Sequence, residues 1–378
     1  MTQEKSRLYF LDNLRTFIIL LVVIYHAGWV YEKSGLLSSV WIVDDPSKND
    51  LSGILNLITD MFMMPTMFFI SGYFAPLSLK TKKGWTFLKS RFTRLMVPWI
   101  LAVVTLIPLY KVIFLYSRNL PRENLVSYFH FSGDILINQG WLWFLPVLFL
   151  FDLVYFFISR VNPVTFKFSF KGAVIVIFLI GFIYSLGMSV FKYYGWTKTI
   201  LLDFQNEKLL IYFMTFLLGS LCYRLKVFDN RPAGKKLYYF FCSTIWIPMN
   251  VYIVFLINLV FNPGNYIFTW MVDRILVWFS FHLSLLGLLY LIINTFRYYL
   301  NRKGTIIKRL NRYSYGVYII HFIVMGGIAV ILRDAAIPSV TKYVILIVST
   351  YAASNFIVFL YYETVRRIRG CYRLPLWK

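Results

Sequence analysis

Runs of apolar residues about twenty long, separated by short polar connections, recur along the chain from residue 8 to residue 365. Crossing roughly 30 Å of hydrocarbon at about 1.5 Å per residue takes about 20 residues. Windows of that length centre on ten segments, at approximately 9 to 31, 54 to 76, 95 to 117, 141 to 159, 172 to 191, 209 to 223, 237 to 261, 275 to 296, 313 to 332 and 343 to 365. The pattern predicts an all-α, polytopic integral membrane protein with about ten transmembrane helices. The segment at 209 to 223 is short, and that at 141 to 159 is rich in Trp, Phe and Pro, so a tilted or re-entrant element is an alternative there. No extended polar stretch interrupts the series, and residues 1–378 read as a single membrane-embedded domain. Lys5 and Arg7 ahead of the first run resemble a signal peptide. No small-residue cleavage site follows and Arg15 interrupts the run, so an uncleaved first helix is expected. Neither an inverted repeat, nor paired Gly/Pro-broken helices, nor a low-complexity tract of the kind that marks many transporters is visible.

Composition agrees: 59% of residues are apolar and only 15% are charged, against roughly 25% charged in soluble domains, which excludes a water-soluble fold. The net charge of +23 would in a soluble protein raise nucleic acid as a partner. Once the helices are placed, however, the cations sort by connection. With the N-terminus inside, the inside segments (the N-terminal arm, 77 to 94, 160 to 171, 224 to 236, 297 to 312 and the tail) hold 27 of the 39 Lys and Arg. The outside connections hold 10, balanced by ten acids that include Asp44, Asp45 and Asp50. Cytoplasmic loops retain cations, so both termini are expected in the cytoplasm and the charge reports topology in a cell (plasma or inner) membrane rather than a nucleic-acid surface. The three cysteines, Cys222, Cys242 and Cys371, lack metal-ligand spacing and fall at expected cytoplasmic positions, so neither zinc nor disulfides are expected.

Ionisable groups inside hydrocarbon are costly and therefore functional candidates: Asp12, Arg15, His26, Asp60, Lys111, Asp152, His282 and His321. Arg15 and His26 are eleven residues apart, about 20° past three full turns and about 16 Å along the axis, so they share one face. Arg15 then sits in the inner half and His26 near the outer surface. Asp12, three residues before Arg15, can pair with it. Either Arg15 snorkels to the headgroups and His26 is interfacial beside Trp29 and Tyr31, or His26 is a base, the side chain suited to exchanging protons near neutrality. His282 and His321 read as hydrogen-bonded packing residues between helices; His130 reads as solvated. Asp60 reads first as a helix-capping or interhelical hydrogen-bonding residue, with the orienting of His26 as the alternative. Lys89, Arg91 and Arg94 are either positive-inside anchors or phosphate ligands, and Trp141, Trp143 and Phe144 by default form an interfacial belt.

Taken together, LDNLRTFIILLVVIYH from Leu11 to His26, FFISGYF from Phe68, RFTRLMVPW from Arg91, LWFL from Leu142 and SYGVYIIHF from Ser314 resemble acyltransferase family 3, whose members include bacterial O-acetyltransferases acting on surface glycans. The resemblance covers essentially the whole chain and is nearest the glucan-modifying branch. It implies transfer of an acyl group, acetyl or succinyl, from cytoplasmic acyl-CoA to a hydroxyl of a cell-surface or periplasmic carbohydrate, with no bound cofactor and no metal. It further implies His26 as general base, Arg15 assisting the donor or stabilising negative charge, Arg91 and Arg94 holding CoA phosphates, Trp143 lining the transfer channel, and Ser71 with Gly72 allowing close helix approach. Glu363 is followed by Thr364 and Val365, where many relatives place a proline, so it takes no assigned role. Some relatives carry a further hydrolase-like domain; a stand-alone enzyme is expected here. Two other classes compete with the enzyme: a lipid or glycan transporter, which has no need of a base at His26, and a non-catalytic partner of a polysaccharide assembly complex.

Overall fold

A computed structural model of the chain describes residues 8–35, 37, 40–82, 84–124, 128, 139–160, 169–229 and 234–372, the last four without their side chains. His130, Lys5 and Arg7 lie outside these residues, as does the side chain of Cys371. Helix accounts for 79% and strand for 2% of the structure, so the all-α expectation holds. The helices are α1 (Tyr9–Tyr31), α2 (Asp50–Thr81), α3 (Trp85–Ser117), α4 (Phe144–Arg160), α5 (Phe170–Val190), α6 (Leu209–Arg224), α7 (Lys236–Thr244), α8 (Trp246–Phe261), α9 (Trp270–Tyr299), α10 (Thr305–Arg333) and α11 (Ser339–Tyr372). A 3₁₀ turn, Gly140–Trp143, leads into α4, and a two-stranded antiparallel hairpin, β1 (Trp196–Lys198) with β2 (Asp203–Gln205), joins α5 to α6.

Among the described residues nine helices are long and apolar enough to cross a bilayer, counting Gly140–Arg160 and Lys236–Phe261 each as one. The α7–α8 interruption has a local cause: Pro248, in the first turn of α8, has no N–H to return to the carbonyl of Thr244. The tenth expected segment is α6, with 16 residues. Thr16 on α1 bonds Asn311 on α10, and ten residues further along both helices His26 meets His321, so α1 and α10 run parallel. Parallel spans require an odd number of crossings between them. The helices α2, α3, α4, α5, α7 with α8, and α9 give six, and α6 supplies the seventh. The side chains left on the surface suit lipid: Leu101, Val104, Ile183 and Val348 are each more than half exposed.

The chain forms two compact units. The first is Met1–Leu14, Leu57–Ile107 and Phe129–Asn301, where α5 packs on α6 and α9, and α9 on α7 and α8. Its tightest crossing joins α2 to α6. A Cβ on Gly72 would lie 1.9 Å from the Phe216 carbonyl oxygen, and one on Gly219 would lie 2.0 Å from that of Phe69. These two glycines let backbones touch, the approach that Gly72 was expected to permit. Ser169 Oγ caps α5 by accepting from the Gly172 N–H at 3.1 Å, and Thr269 Oγ1 caps α9 by accepting from the Val272 N–H at 3.2 Å, each satisfying a donor the helix cannot pair internally.

The second unit is Arg15–Asn56, Pro108–Tyr128 and Arg302–Lys378, with α10 packed along α11. Its distinctive element is the connection from α1 to α2. The Asn49 N–H returns to the Tyr31 carbonyl at 2.9 Å. The buried Asp45 carboxylate meets Lys342 Nζ of α11 at 3.1 Å, both side chains 1% exposed or less, and Lys342 also donates to the Arg333 carbonyl at 2.7 Å. Ser117 Oγ bonds the Ile42 carbonyl at 3.3 Å, Arg118 Nη2 the Trp41 carbonyl at 2.9 Å, and Tyr110 the Val40 carbonyl. Three consecutive carbonyls are thus fixed by residues at the end of α3.

Candidate functional site

Within the second unit, α1 carries Arg15 and His26 as the spacing requires, and α10 brings His321 to His26. His321 Nδ1 lies 2.7 Å from the Tyr318 carbonyl and 3.2 Å from that of Val317. Carbonyl oxygens only accept, so this nitrogen carries the proton and, in the neutral ring, Nε2 is left as an acceptor. His26 Nδ1 stands 2.8 Å from that Nε2 and must donate to it. The remaining nitrogen, His26 Nε2, then holds a lone pair, and no described residue hydrogen-bonds to it. Two carbonyls on α10 therefore fix the tautomer of His321, and His321 fixes that of His26. The outcome is a ring whose basic atom is defined, the prerequisite for a general base.

Aromatic side chains surround the pair. The Trp41 ring is 5.8 Å from the His26 ring, Phe322 is 5.2 Å from His26, and Tyr25 is 5.6 Å from it. Trp29 lies 6.0 Å from Trp41, and Tyr110 lies 5.8 Å from Phe322. At the other end of the α1 stripe, Arg15 Nη2 donates to the Asn311 carbonyl at 3.4 Å, and Thr16 Oγ1 donates to the side-chain oxygen of the same residue at 2.6 Å. Asp12 is in the first turn of α1. Lys111 of α3 pairs with Glu123 at 2.9 Å.

The remaining expected residues fall in the first unit. α3 begins at Trp85, ten residues before the expected limit, so Lys89, Arg91 and Arg94 are helical. Arg91 Nε stands 3.4 Å from Asp152 Oδ2, with the two side chains 12% and 1% exposed, which gives Asp152 a partner. The contact is an ion pair without hydrogen-bond geometry. Arg94, one turn on, is exposed. Trp143 ends the 3₁₀ turn, its ring 5.4 Å from Trp196, 6.0 Å from Tyr212 and 6.3 Å from Phe68. That turn is tied to the hairpin by Asp203, which accepts from the Gln139 N–H at 3.2 Å and the Thr199 N–H at 3.0 Å. Burial pushes the Asp203 carboxyl up to about 6, opposed by those N–H bonds and by Lys198. Ser71 is half-buried on α2 beside Gly72.

Asp60 pairs with Lys208 at 2.5 Å, the interhelical bond expected of it ahead of orienting His26. His282 is a packing residue as expected: its Nδ1 meets the Trp278 carbonyl at 2.7 Å and its Nε2 meets Ser185 Oγ at 3.5 Å, beside Gly181. His321 also makes an interhelical bond, but its partner is His26, which places it in the site. The sequence counts His321 among the intramembrane candidates but reads it, with His282, as a packing residue, and it gives no sign of Trp41. That His321 falls inside SYGVYIIHF, a segment carrying the family resemblance, is a further signal.

The acyltransferase family 3 model, described as an acyltransferase domain, matches residues 8–359. No curated protein and no solved structure matches. The family match takes in Arg15, His26, Arg91, Arg94, Trp143 and His321, and it runs through both compact units. With nine long apolar helices among the described residues, the chain belongs to acyltransferase family 3 and is a multi-pass membrane acyltransferase.

Proposed function

We propose that this acyltransferase takes an acyl group, acetyl or succinyl, from cytoplasmic acyl-CoA and transfers it to a hydroxyl of a carbohydrate presented beyond the cell membrane. The observation that carries the reading is the His26–His321 hydrogen bond of 2.8 Å, which leaves His26 Nε2 as the basic atom. In this reading His26 removes the acceptor hydroxyl proton as oxygen attacks the thioester, and His321 is a positioning residue. The base alone is worth 10² to 10⁴ in rate, so substrate orientation supplies much of the remainder.

Both chain ends lie in the cytoplasm in this reading, on the strength of the cation distribution. Arg15 then faces the donor side and His26 the acceptor side of one helix, about 16 Å apart along the axis. Acyl-CoA is large, charged and cytoplasmic, and an external hydroxyl is reached only by a polar lane through the bilayer. Arg94 and Arg91 contribute positive charge for the CoA phosphates, Arg94 directly because it is exposed and Arg91 under the control of Asp152. Trp143 lines the acyl path. No bound cofactor is required, because base and donor site complete the chemistry.

Mass spectrometry of surface glycans from cells with and without the protein tests the proposal. A mass loss equal to one acyl group per modified unit supports it and names acyl group and acceptor together. Identical glycans overturn it, and a change in exported amount without a change in mass favours a transporter.

A further inference from the structure

Two indole N–H groups in the second unit have no acceptor among the described residues. Trp29 Nε1 and Trp41 Nε1 are both sealed from solvent and hydrogen-bond to no described residue, although buried donors are paired in all but a few cases. Both belong to the aromatic cluster at His26. Trp29 follows His26 by three residues, one turn on along the same side of α1. The Trp41 ring is 5.8 Å from the imidazole and 6.0 Å from the Trp29 ring. An interfacial belt turns indole N–H groups to headgroups or water, which sealed nitrogens do not reach. Trp41 is also held more firmly than a belt residue needs. Its own carbonyl accepts from Arg118 at 2.9 Å, and the carbonyls on either side of it are bonded by Tyr110 and Ser117.

Fixed, unpaired donors beside a base are what acyl transfer requires at the oxygen where charge develops. We infer that Trp29 and Trp41 form the oxyanion site of the transfer reaction, their N–H groups donating to the acyl carbonyl oxygen as it becomes an alkoxide. The inference rests on the reading of His26 as the base. In the addition step the acceptor hydroxyl gives its proton to His26 Nε2, its oxygen bonds to the acyl carbon of the thioester, and the carbonyl π pair moves onto the oxygen facing the two indoles. In the collapse step the carbonyl reforms, the C–S bond breaks, and the leaving thiolate takes the proton from the imidazolium. The products are an ester and a free thiol, and His26 is neutral again.

The test uses the full-length protein in detergent, acetyl-CoA as donor, and surface glycan isolated from cells lacking the protein as acceptor, with thiol release and ester formation both followed. Trp29→Phe and Trp41→Phe keep an aromatic ring and remove the N–H. Each is expected to lower kcat on the order of 10²-fold, with KM for both substrates and the thermal midpoint unchanged. Trp41→His, which returns an N–H, recovers part of the rate. Wild-type kcat in both Phe variants overturns the inference, as does a raised acceptor KM at unchanged kcat, or a His variant no faster than the Phe variant. His26→Ala separates the two readings. Transfer that survives it refutes the base and the oxyanion site together. Transfer lost in His26→Ala yet intact in both Phe variants refutes the oxyanion site alone.

Discussion

His26 Nδ1 and His321 Nε2 are 2.8 Å apart, and the direction of that bond is set from the far side of His321 by two backbone carbonyls. A chain of carbonyl, imidazole and imidazole performs here the orienting task that a carboxylate performs in hydrolytic triads. A carboxylate buried beside imidazole would add a charge to hydrocarbon. A second neutral ring fixes the tautomer without one.

Replacing His321 by Phe keeps a ring at the site and removes the acceptor for His26 Nδ1–H. Transfer should fall by about 10²-fold or more, the range attributed to a positioned base. The loss should lie in kcat, with KM for acyl-CoA unchanged. A kcat within a factor of about two of wild type would show that His26 needs no orienting partner.

The buried pair of Asp45 and Lys342 holds the α1–α2 connection on which Trp41 sits. Removing one partner of a buried pair leaves an uncompensated charge and typically costs about 3–5 kcal/mol. Lys342→Met should therefore lower stability by that order in a thermal or denaturant assay. The double variant Lys342→Met with Asp45→Leu should recover much of it, because the two sites are coupled. Additive losses would show that the pair does not act as a unit.

At the α2–α6 crossing, Gly72→Ala or Gly219→Ala introduces a methyl group about 2 Å from a backbone oxygen of the opposite helix. Backbone cannot yield as a side-chain tip does, so each change should cost at least the roughly 1–3 kcal/mol of ordinary overpacking. Gly187, with nothing within 4 Å of a Cβ, is the control. An unchanged thermal midpoint for Gly72→Ala would mean that the two helices separate freely.

Asp203 predicts a pH dependence. Its carboxyl is raised from 3.8 to about 6 by burial, so the folded chain binds this proton more tightly than the unfolded chain does. Its contribution to stability is fully present below about pH 3.8 and is lost as pH rises through about 6. Thermal unfolding followed from pH 4 to 7 should show that decline, and Asp203→Asn should remove it. A slope that persists in the Asn variant assigns the effect to another group.

The fold was largely legible in the sequence because hydrocarbon imposes one length rule. The spans came out at 9 to 31 for α1 and 209 to 223 for α6 from apolar length alone, and α6 counts as a crossing because α1 and α10 are parallel. The α3 start was missed by ten residues, since Lys89, Arg91 and Arg94 are polar enough to read as a connection while remaining helical. The site was half legible. A helical period joins Arg15 to His26 within one segment, but nothing in the period of α1 says which of the other helices faces it. His321 and Trp41 are therefore invisible to spacing, and Asp152 gains a meaning only when Arg91 is seen against it.

In the proposed function His26 is the base of an acyl transfer that modifies surface carbohydrate. The most direct test of that role measures alkali-released acyl groups per unit of surface glycan in cells lacking the protein and supplied with the wild type, His26→Ala or Arg15→Ala, at matched membrane levels of protein. The account predicts wild-type acylation restored only by the wild type, with glycan export normal in all three. Full acylation in cells carrying His26→Ala would contradict it.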